Sequence, residues 1–136
     1  MAYVIKVEVG DPQAGSFTFA RQKTMYGGKG IAAGDTVFVF ASENAGGRGL
    51  IGRGVVTASR AVPRTPGLAR QTPRVDVSIE TLALAKGPLG RRELKPFTSW
   101  DDGRPETELN FKLYRQATDK IVGISDEAAA FLGGFF

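Results

Sequence analysis

The apolar residues of this chain occur in short runs and in alternation, the two patterns that β-strands produce. Thr36–Ala41 is an unbroken apolar and β-branched run, too short for a buried helix and typical of a strand covered on both faces. A polar, glycine-rich connector follows, and Leu50–Ala58 then carries Val55, Val56 and Thr57, which favour a second strand. We therefore predict a β-hairpin at the centre of the chain.

Two glycines, Gly52 and Gly54, lie inside the second strand of this hairpin. A bulge, a sharp bend of a barrel or a ligand close to bare backbone would each explain them. Gly47–Gly52 also matches the GxGxxG pattern, but a dinucleotide site needs a helix directly after the glycines. Because the residues that follow favour a strand, we interpret this segment as a hairpin loop.

Five other segments also favour strands. Ala2–Val9 alternates and predicts a half-buried opening strand, residues 17–19 suggest a short strand or edge segment, and Arg74–Leu84 predicts a third long strand. Leu109–Gln116 can be a helix or a strand, and its alternation favours the strand. Lys120–Ile124 is a short apolar strand.

Loops and helices fill the remaining chain. Lys23–Gly30 has three glycines and no periodicity, so we predict a loop. Ser59–Pro73 holds three prolines and several arginines, and exposed loops of this length tend to be functional or disordered. One helical turn is expected around residues 91–94. Ser125 should cap a C-terminal helix that ends at Gly133.

This order of elements predicts a mainly β (α+β) fold in a single domain over residues 1–136. We expect a closed or nearly closed barrel of about five to seven strands with short helices, one of them C-terminal.

The composition narrows the possible chemistry. The chain has no cysteine and no histidine, which excludes thiolate nucleophiles, His-dependent catalysis and Cys/His zinc sites. We expect neither a metal nor another cofactor. No segment approaches the roughly 18 apolar residues of a membrane span, and the N-terminus lacks the apolar region of a signal peptide. We therefore expect a cytoplasmic protein without a membrane partner.

Charge is unevenly distributed. Residues 1–75 hold 10 Lys/Arg and 4 Asp/Glu, a balance of +6, whereas residues 76–136 hold 8 and 10, a balance of −2. A basic half is compatible with a polyanionic partner and equally with simple solubility. Four nearby carboxylates suit either a Mg²⁺ site or a solvated acidic turn: Asp101, Asp102, Glu106 and Glu108.

Two aromatic residues lie in polar or flexible surroundings. Trp100 stands between Ser99 and Asp101, which suits a base-stacking pocket or a core anchor under a loop. Tyr26, in the glycine-rich loop, suits base stacking or an ordinary surface position. Ser42 and Glu43 end the first central strand and can recognise the edge of a ligand or form turn contacts. Arg115 can reach a phosphate or a base edge, or be solvent-exposed.

Taken together, these features resemble the PUA-like superfamily, and within it EVE-like and ASCH-like domains. Gly34-Asp35 before the apolar strand is similar to the family's turn into its central strand, and Gly49–Val56 is similar to its "GIVGIGEV" strand. Phe97–Asp102 matches an aromatic-polar loop, and Ile121–Glu127 resembles the "I-x-x-I-S-x-E" run before the last helix.

The resemblance implies a pseudo-barrel that binds nucleic acid, in EVE-like members through a modified base held in an aromatic cage. EVE-like domains usually carry a Trp-containing loop before the Gly-Asp turn, where this chain has Met25-Tyr26-Gly27. The resemblance implies these ligand-binding candidates: Tyr26, Ser42, Glu43, Trp100, Asp101 and Arg115. The candidates for phosphate contacts are Lys23, Lys29, Arg48, Arg60, Arg64 and Arg70.

Three functions follow as hypotheses. The first is a non-catalytic module that recognises a modified or flipped nucleobase in RNA or DNA. The second is an ASCH-like hydrolase of RNA or an acylated nucleoside, with Lys23, Thr24 and Glu43 as its reactive set. The third is an adaptor, including a homodimer, that docks through Phe135-Phe136 unless those rings fold back on the core.

Overall fold

Six strands close into one mixed barrel in the computed structural model, which describes residues 1–136. The strands are β1 (Ala2–Val7), β2 (Ser16–Met25), β3 (Thr36–Ala41), β4 (Gly49–Ala61), β5 (Arg74–Leu84) and β6 (Lys120–Ile124). Their order around the barrel is β1-β3-β4-β5-β2-β6. The β1–β3 and β2–β6 pairs are parallel and the others antiparallel. The mainly β barrel and its central β3–β4 hairpin are thereby confirmed.

Three short helices lie outside the barrel: α1 (Arg91–Leu94), α2 (Pro105–Leu113) and α3 (Asp126–Gly133). Single 3₁₀ turns span Gly28–Gly30 and Glu43–Ala45. Ser125 caps α3 as predicted, since its hydroxyl accepts a hydrogen bond from the Ala128 N–H at 3.1 Å. No helix of the structure has the length and apolar character needed to cross a membrane.

Strands β1, β3 and β6 are buried on both faces because two apolar cores lie on either side of the barrel wall. The inner core holds 11 buried residues, among them Ile5, Val39 and Ile79. The outer core holds 13, and it packs side chains such as Val4 and Phe38 against the helices. The prediction that β1 is only half-buried is therefore wrong, because the helices cover its second face.

The predicted strand over Leu109–Gln116 is also wrong, since most of this segment belongs to α2. Pro105 opens the helix, where its missing N–H costs nothing, and acidic residues occupy the first turn. Leu109 and Leu113, four residues apart, are both fully buried in the outer core. This i,i+4 pair fits a helix and is equally compatible with alternation in so short a window.

Two predicted loops are shorter than expected. Lys23–Met25 belongs to β2, which extends the short strand predicted around residues 17–19. Ser59–Ala61 belongs to β4, so the remaining loop, called here the Pro/Arg loop, spans residues 62–73.

The C-terminal phenylalanines fold back on the core. The Phe136 ring lies 5.9 Å from that of Phe38, and Arg53 sits 5.3 Å above it. The carbonyl of Phe135 accepts a hydrogen bond from the Lys86 N–H at 2.7 Å. The adaptor hypothesis needs Phe135-Phe136 to be exposed for docking, and these contacts instead hold the two residues against the protein.

Glycine at position 54 is required by the close approach of β5. A Cβ there would overlap the Glu80 carbonyl oxygen and lie 2.8 Å from Ile79 Cγ2, beside a bulge between Arg53 and Gly54. We predict that Gly54→Ala lowers the free energy of unfolding by about 1–3 kcal/mol, the usual cost of overpacking. Urea denaturation measures the change.

The matched control is Gly10→Ala, because a Cβ at Gly10 meets no atom within 4 Å. We expect it to be neutral or stabilising by about 0.4–1 kcal/mol, since alanine restricts the unfolded chain. Equal stability of the two variants would contradict the packing argument.

Candidate functional site

Two aromatic residues singled out in the sequence converge on a third, Phe111 of α2. The Trp100 ring lies 5.4 Å from the Phe111 ring in an edge-on arrangement, and the Tyr26 ring lies 5.9 Å away on a tilt. Trp100 is 47% exposed and Tyr26 40%. We call Tyr26, Trp100 and Phe111 the aromatic cluster, a group of rings that is partly open to solvent.

Cationic side chains border the aromatic cluster. The Arg115 guanidinium lies 4.5 Å from the centre of the Phe111 ring and 6.0 Å from that of Trp100. The Lys112 ammonium lies 5.8 Å from the Tyr26 ring. A shallow cavity of about 240 Å³ opens between Trp100 and Phe111. Exposed rings next to cations suit a planar, electron-rich ligand beside a negative charge.

Helix α2 is held in place by Glu108. Its carboxylate accepts hydrogen bonds from the Ser125 N–H at 2.8 Å, from the Ser125 hydroxyl, and from Lys112 at 3.0 Å. Burial alone would raise the pKa of Glu108, but these hydrogen bonds and the Lys112 charge outweigh it and lower the pKa. Lys112 also donates to the Gly123 carbonyl at 2.8 Å, which ties α2 to β6.

The C-terminal end of α2 and the turn after it are capped by three lysines, here called the lysine cap. The Lys6, Lys95 and Lys120 ammonium groups donate to the carbonyls of Leu113 at 2.8 Å, Tyr114 at 2.9 Å and Gln116 at 3.2 Å. These bonds satisfy carbonyls that a helix end leaves free and place positive charge at the negative end of the helix dipole. They also fix the segment that carries Arg115.

Two lysines of this cap are almost fully buried. Lys6 and Lys120 face each other across the β1–β6 pair and are 0% and 1% exposed. Burial, followed by the charges of Lys6 and Lys23, lowers the pKa of Lys120 to about 8. Burial also lowers the pKa of Lys6.

Ser42 and Glu43 form a separate group at the end of β3. The Glu43 carboxylate accepts hydrogen bonds from the Arg91 N–H at 2.7 Å and from the Tyr114 hydroxyl at 3.0 Å. Burial, reinforced by the Glu43 charge, raises the pKa of Tyr114. Ser42 is buried. No hydrogen bond joins Ser42 or Glu43 to the aromatic cluster, so their predicted role in ligand recognition stays a prediction, as does that of exposed Asp101.

The Pro/Arg loop overhangs the end of β2 and encloses a cavity of about 610 Å³. Six cationic residues and no acidic residue line it: Arg21, Lys23, Lys29, Arg64, Arg70 and Arg74. We call this cavity the basic cleft. It contains four of the six predicted phosphate contacts.

The other two predicted phosphate contacts lie elsewhere. Arg60 pairs with Asp76 at 2.9 Å, and Arg48 is exposed on the connector between β3 and β4. Neither lines the basic cleft.

The contacts of the proposed hydrolase residues give that hypothesis no support. The Thr24 hydroxyl is buried and donates to the Pro73 carbonyl at 2.7 Å. Glu43 contacts Arg91 and Tyr114, and no hydrogen bond or ion pair joins it to Lys23 or Thr24. The four acidic residues near Trp100 form no group able to hold a metal ion; Asp102, for example, accepts hydrogen bonds from the Arg104 N–H and the Thr107 hydroxyl.

Sequence reasoning missed three residues of these two surfaces. Phe111 was overlooked because its segment was predicted as a strand, and a helix would have placed it one turn before Arg115. Arg21 lies in the bulge of β2 between Phe19 and Gln22, and Arg74 is the first residue of β5; both line the basic cleft. No sequence pattern marks that bulge, since the residue with positive φ there, Arg21 at 55°, is not a glycine.

Several solved structures share this architecture. The DUF55 domain of human thymocyte nuclear protein 1 has a TM-score of 0.64 and 14% identity, covering 96% of this chain and 95% of that chain. The same human protein in complex with DNA containing 5-methylcytosine has a TM-score of 0.62 and 14% identity, covering 96% and 94%. A protein from Pseudomonas syringae has a TM-score of 0.61 and 16% identity over 100% of both chains.

No family model and no curated protein matches the chain. The structural similarities place it in the PUA-like pseudo-barrel fold, the fold of the EVE (DUF55) domain. The predicted resemblance is thereby confirmed at the level of the fold.

The buried lysines give stability an unusual pH dependence. The pKa of Lys120 is about 8 in the folded chain, against an ordinary value of 10.5, so between these values the unfolded state binds more protons. Stability therefore rises with pH across that window, and the lowered pKa of Lys6 acts in the same direction. We predict that Tm increases from pH 7 to pH 9.5 in thermal denaturation.

Lys120→Met should remove much of this increase, because the variant has no group to deprotonate at position 120. A Tm that falls over the same range, or a rise that Lys120→Met leaves unchanged, would contradict the prediction.

The contacts of Glu43 predict that this residue stabilises the fold, and a stability measurement on a Glu43 variant tests that role without any ligand. Glu43→Ala leaves the buried Tyr114 hydroxyl and the Arg91 N–H without their acceptor. We expect the free energy of unfolding to fall by about 1–3 kcal/mol. The control Glu8→Ala, at an exposed position, should change it by less than about 0.5 kcal/mol. Unchanged stability in Glu43→Ala would contradict this structural role.

Proposed function

We propose that this protein is a nucleic-acid-binding module that recognises a modified or unstacked nucleobase at the aromatic cluster. The observation that carries the proposal is the convergence of Tyr26 and Trp100, both exposed, on Phe111. An exposed cluster of rings is unusual on a protein surface unless it binds something, because burying those faces would be favourable.

The surroundings of the cluster suit a base rather than an aliphatic ligand. A base can stack on the exposed Trp100 or Tyr26 face, and the guanidinium of Arg115 can stack on the base or approach its phosphate. Stacking tolerates any base, so preference for a modified base must come from the polar groups at the rim. The polar residues that line the cavity beside Trp100 and Phe111 are Arg104, Thr107, Glu108 and Lys112.

The shared fold supports this proposal in one further respect. The human thymocyte nuclear protein 1 domain, which has the same architecture, is known in complex with DNA containing 5-methylcytosine. That ligand is a sensible first probe for this chain. RNA strands with modified bases are the second probe, since neither the rings nor the cations of the cluster distinguish the two polymers.

The test is the affinity of Trp100→Ala for a single-stranded oligonucleotide that contains 5-methylcytosine. Loss of one stacked base should cost about 1–3 kcal/mol, which is roughly a 5- to 150-fold rise in Kd. Fluorescence anisotropy at fixed salt measures it. Trp100→Phe should retain most of the affinity, because a flat ring remains.

Leu82→Ala serves as the control, since Leu82 is another large exposed apolar residue, on β5 and outside the aromatic cluster. Its affinity should equal that of the unchanged protein. If Trp100→Ala also binds as tightly as the unchanged protein, the aromatic cluster is not the base-recognition site.

A further inference from the structure

The basic cleft is an unneutralised concentration of positive charge. None of its six cations forms an ion pair with a carboxylate. The Asp76 carboxylate, which accepts a hydrogen bond from the Arg21 N–H, is paired with Arg60 outside the cleft. Cations held together without counter-charges repel one another, and an anion that enters between them relieves that repulsion.

The cleft is also a built structure rather than a loose loop. Gln71 braces the Pro/Arg loop from within, since its side chain accepts a hydrogen bond from the Thr65 N–H and donates to the carbonyls of Thr65 and Leu68. The Pro73 carbonyl accepts two hydrogen bonds from Thr24, which fastens the end of the loop to β2.

Arg21, which lines the cleft, has a strained backbone conformation. Arg21 adopts the left-handed conformation with φ of 55°, which is uncommon for residues other than glycine. Its N–H donates to Asp76 at 2.8 Å, and its carbonyl accepts from Arg74 at 2.8 Å. Neighbours thus hold Arg21 at the cleft in a conformation that costs free energy, as is common at binding sites.

The size of the cleft limits what can enter it. The cleft has a volume of about 610 Å³, which is enough for a stretch of single phosphodiester backbone and too little to enclose a double helix.

The cleft lies close to the aromatic cluster along the chain. Lys29 of the cleft follows Tyr26 of the cluster by three residues, so their Cα atoms are at most about 11 Å apart. A few nucleotides of an extended single strand span that separation, so one strand can reach from Lys29 to Tyr26.

We propose that the basic cleft binds the phosphodiester backbone of a single strand on one side of the base recognised at the aromatic cluster. The protein would then bind single strands with a fixed polarity. This assignment of a strand direction rests on the proposed function, whereas phosphate binding by the cleft does not depend on which base is recognised.

The first experiment measures the electrostatic contribution of the cleft, with an unmodified thymidine oligonucleotide as the ligand. Arg64→Gln/Arg70→Gln removes two cleft charges, and Lys86→Gln/Arg92→Gln removes two exposed charges elsewhere. The slope of log Kobs against log salt should fall by about 1.4 in magnitude for the cleft pair, at about 0.7 per single-strand contact. The control pair should leave it nearly unchanged.

Equal slopes for the two double variants would overturn the cleft as a phosphate site. The cleft assignment would also be overturned if Arg64→Gln/Arg70→Gln lost as much affinity for polyaspartate as for the oligonucleotide. That result would show a site for any polyanion rather than for phosphodiesters.

The second experiment tests polarity with strands that carry one 5-methylcytosine at the 5′ end or at the 3′ end. We expect one of the two strands to bind at least tenfold more tightly, and the difference to disappear in Arg64→Gln/Arg70→Gln. Equal binding of both strands by the unchanged protein would overturn the polarity. The two proposals can fail separately. If the cleft variant reduces the salt slope and Trp100→Ala does not change the affinity, the cleft is a phosphate site and the aromatic cluster does not recognise the base.

Discussion

The barrel depends on a short parallel contact in which β2 closes onto β6. Only two residue pairs make it, Thr24 with Ile121 and Met25 with Val122. The contact is extended by the Gly123 N–H, which donates to the Tyr26 carbonyl at 3.1 Å. Gly28 then passes so close to the Ile121 carbonyl that any side chain would overlap it. Without this closure the inner core would be open along one edge.

The same closure creates both candidate surfaces. To reach β6, β2 bulges at Arg21, and to leave it the chain turns at Tyr26; these are the only two non-glycine residues with positive φ. The first bend directs Arg21 toward the Pro/Arg loop, and the second places the Tyr26 ring against α2. A geometric requirement of the fold therefore sets the distance between the basic cleft and the aromatic cluster.

The elements that sequence predicted correctly are those whose signals are local. The hairpin of β3 and β4 follows from a continuous apolar run and β-branched residues, and α3 follows from Ser125 as its cap. The outer core is a long-range property, so the covered face of β1 and the helical state of α2 could not be predicted. In a segment as short as Leu109–Leu113, the apolar residues fit both the helical and the strand periodicity. Only the packing of the segment against α3 and β6 decides between helix and strand.

The candidate site shows the same division. Trp100 and Tyr26 were identifiable because an aromatic residue among polar or glycine neighbours is a local signal. Phe111, which joins them, depends on the course of α2, and the lysine cap that orients α2 depends on a β1–β6 pairing that joins distant parts of the chain.

The lysine cap explains why α2 can be short and still position a binding surface. A helix of nine residues is marginal by itself, and its hydrophobic contacts fix one face without fixing its end. Burying the ammonium groups of Lys6 and Lys120 costs free energy unless carbonyls accept hydrogen bonds from them. The end of α2 supplies the carbonyl for Lys6, and the turn after it supplies the carbonyl for Lys120. Each group thus satisfies the other, and the turn that presents Arg115 to the aromatic cluster is held from within the protein.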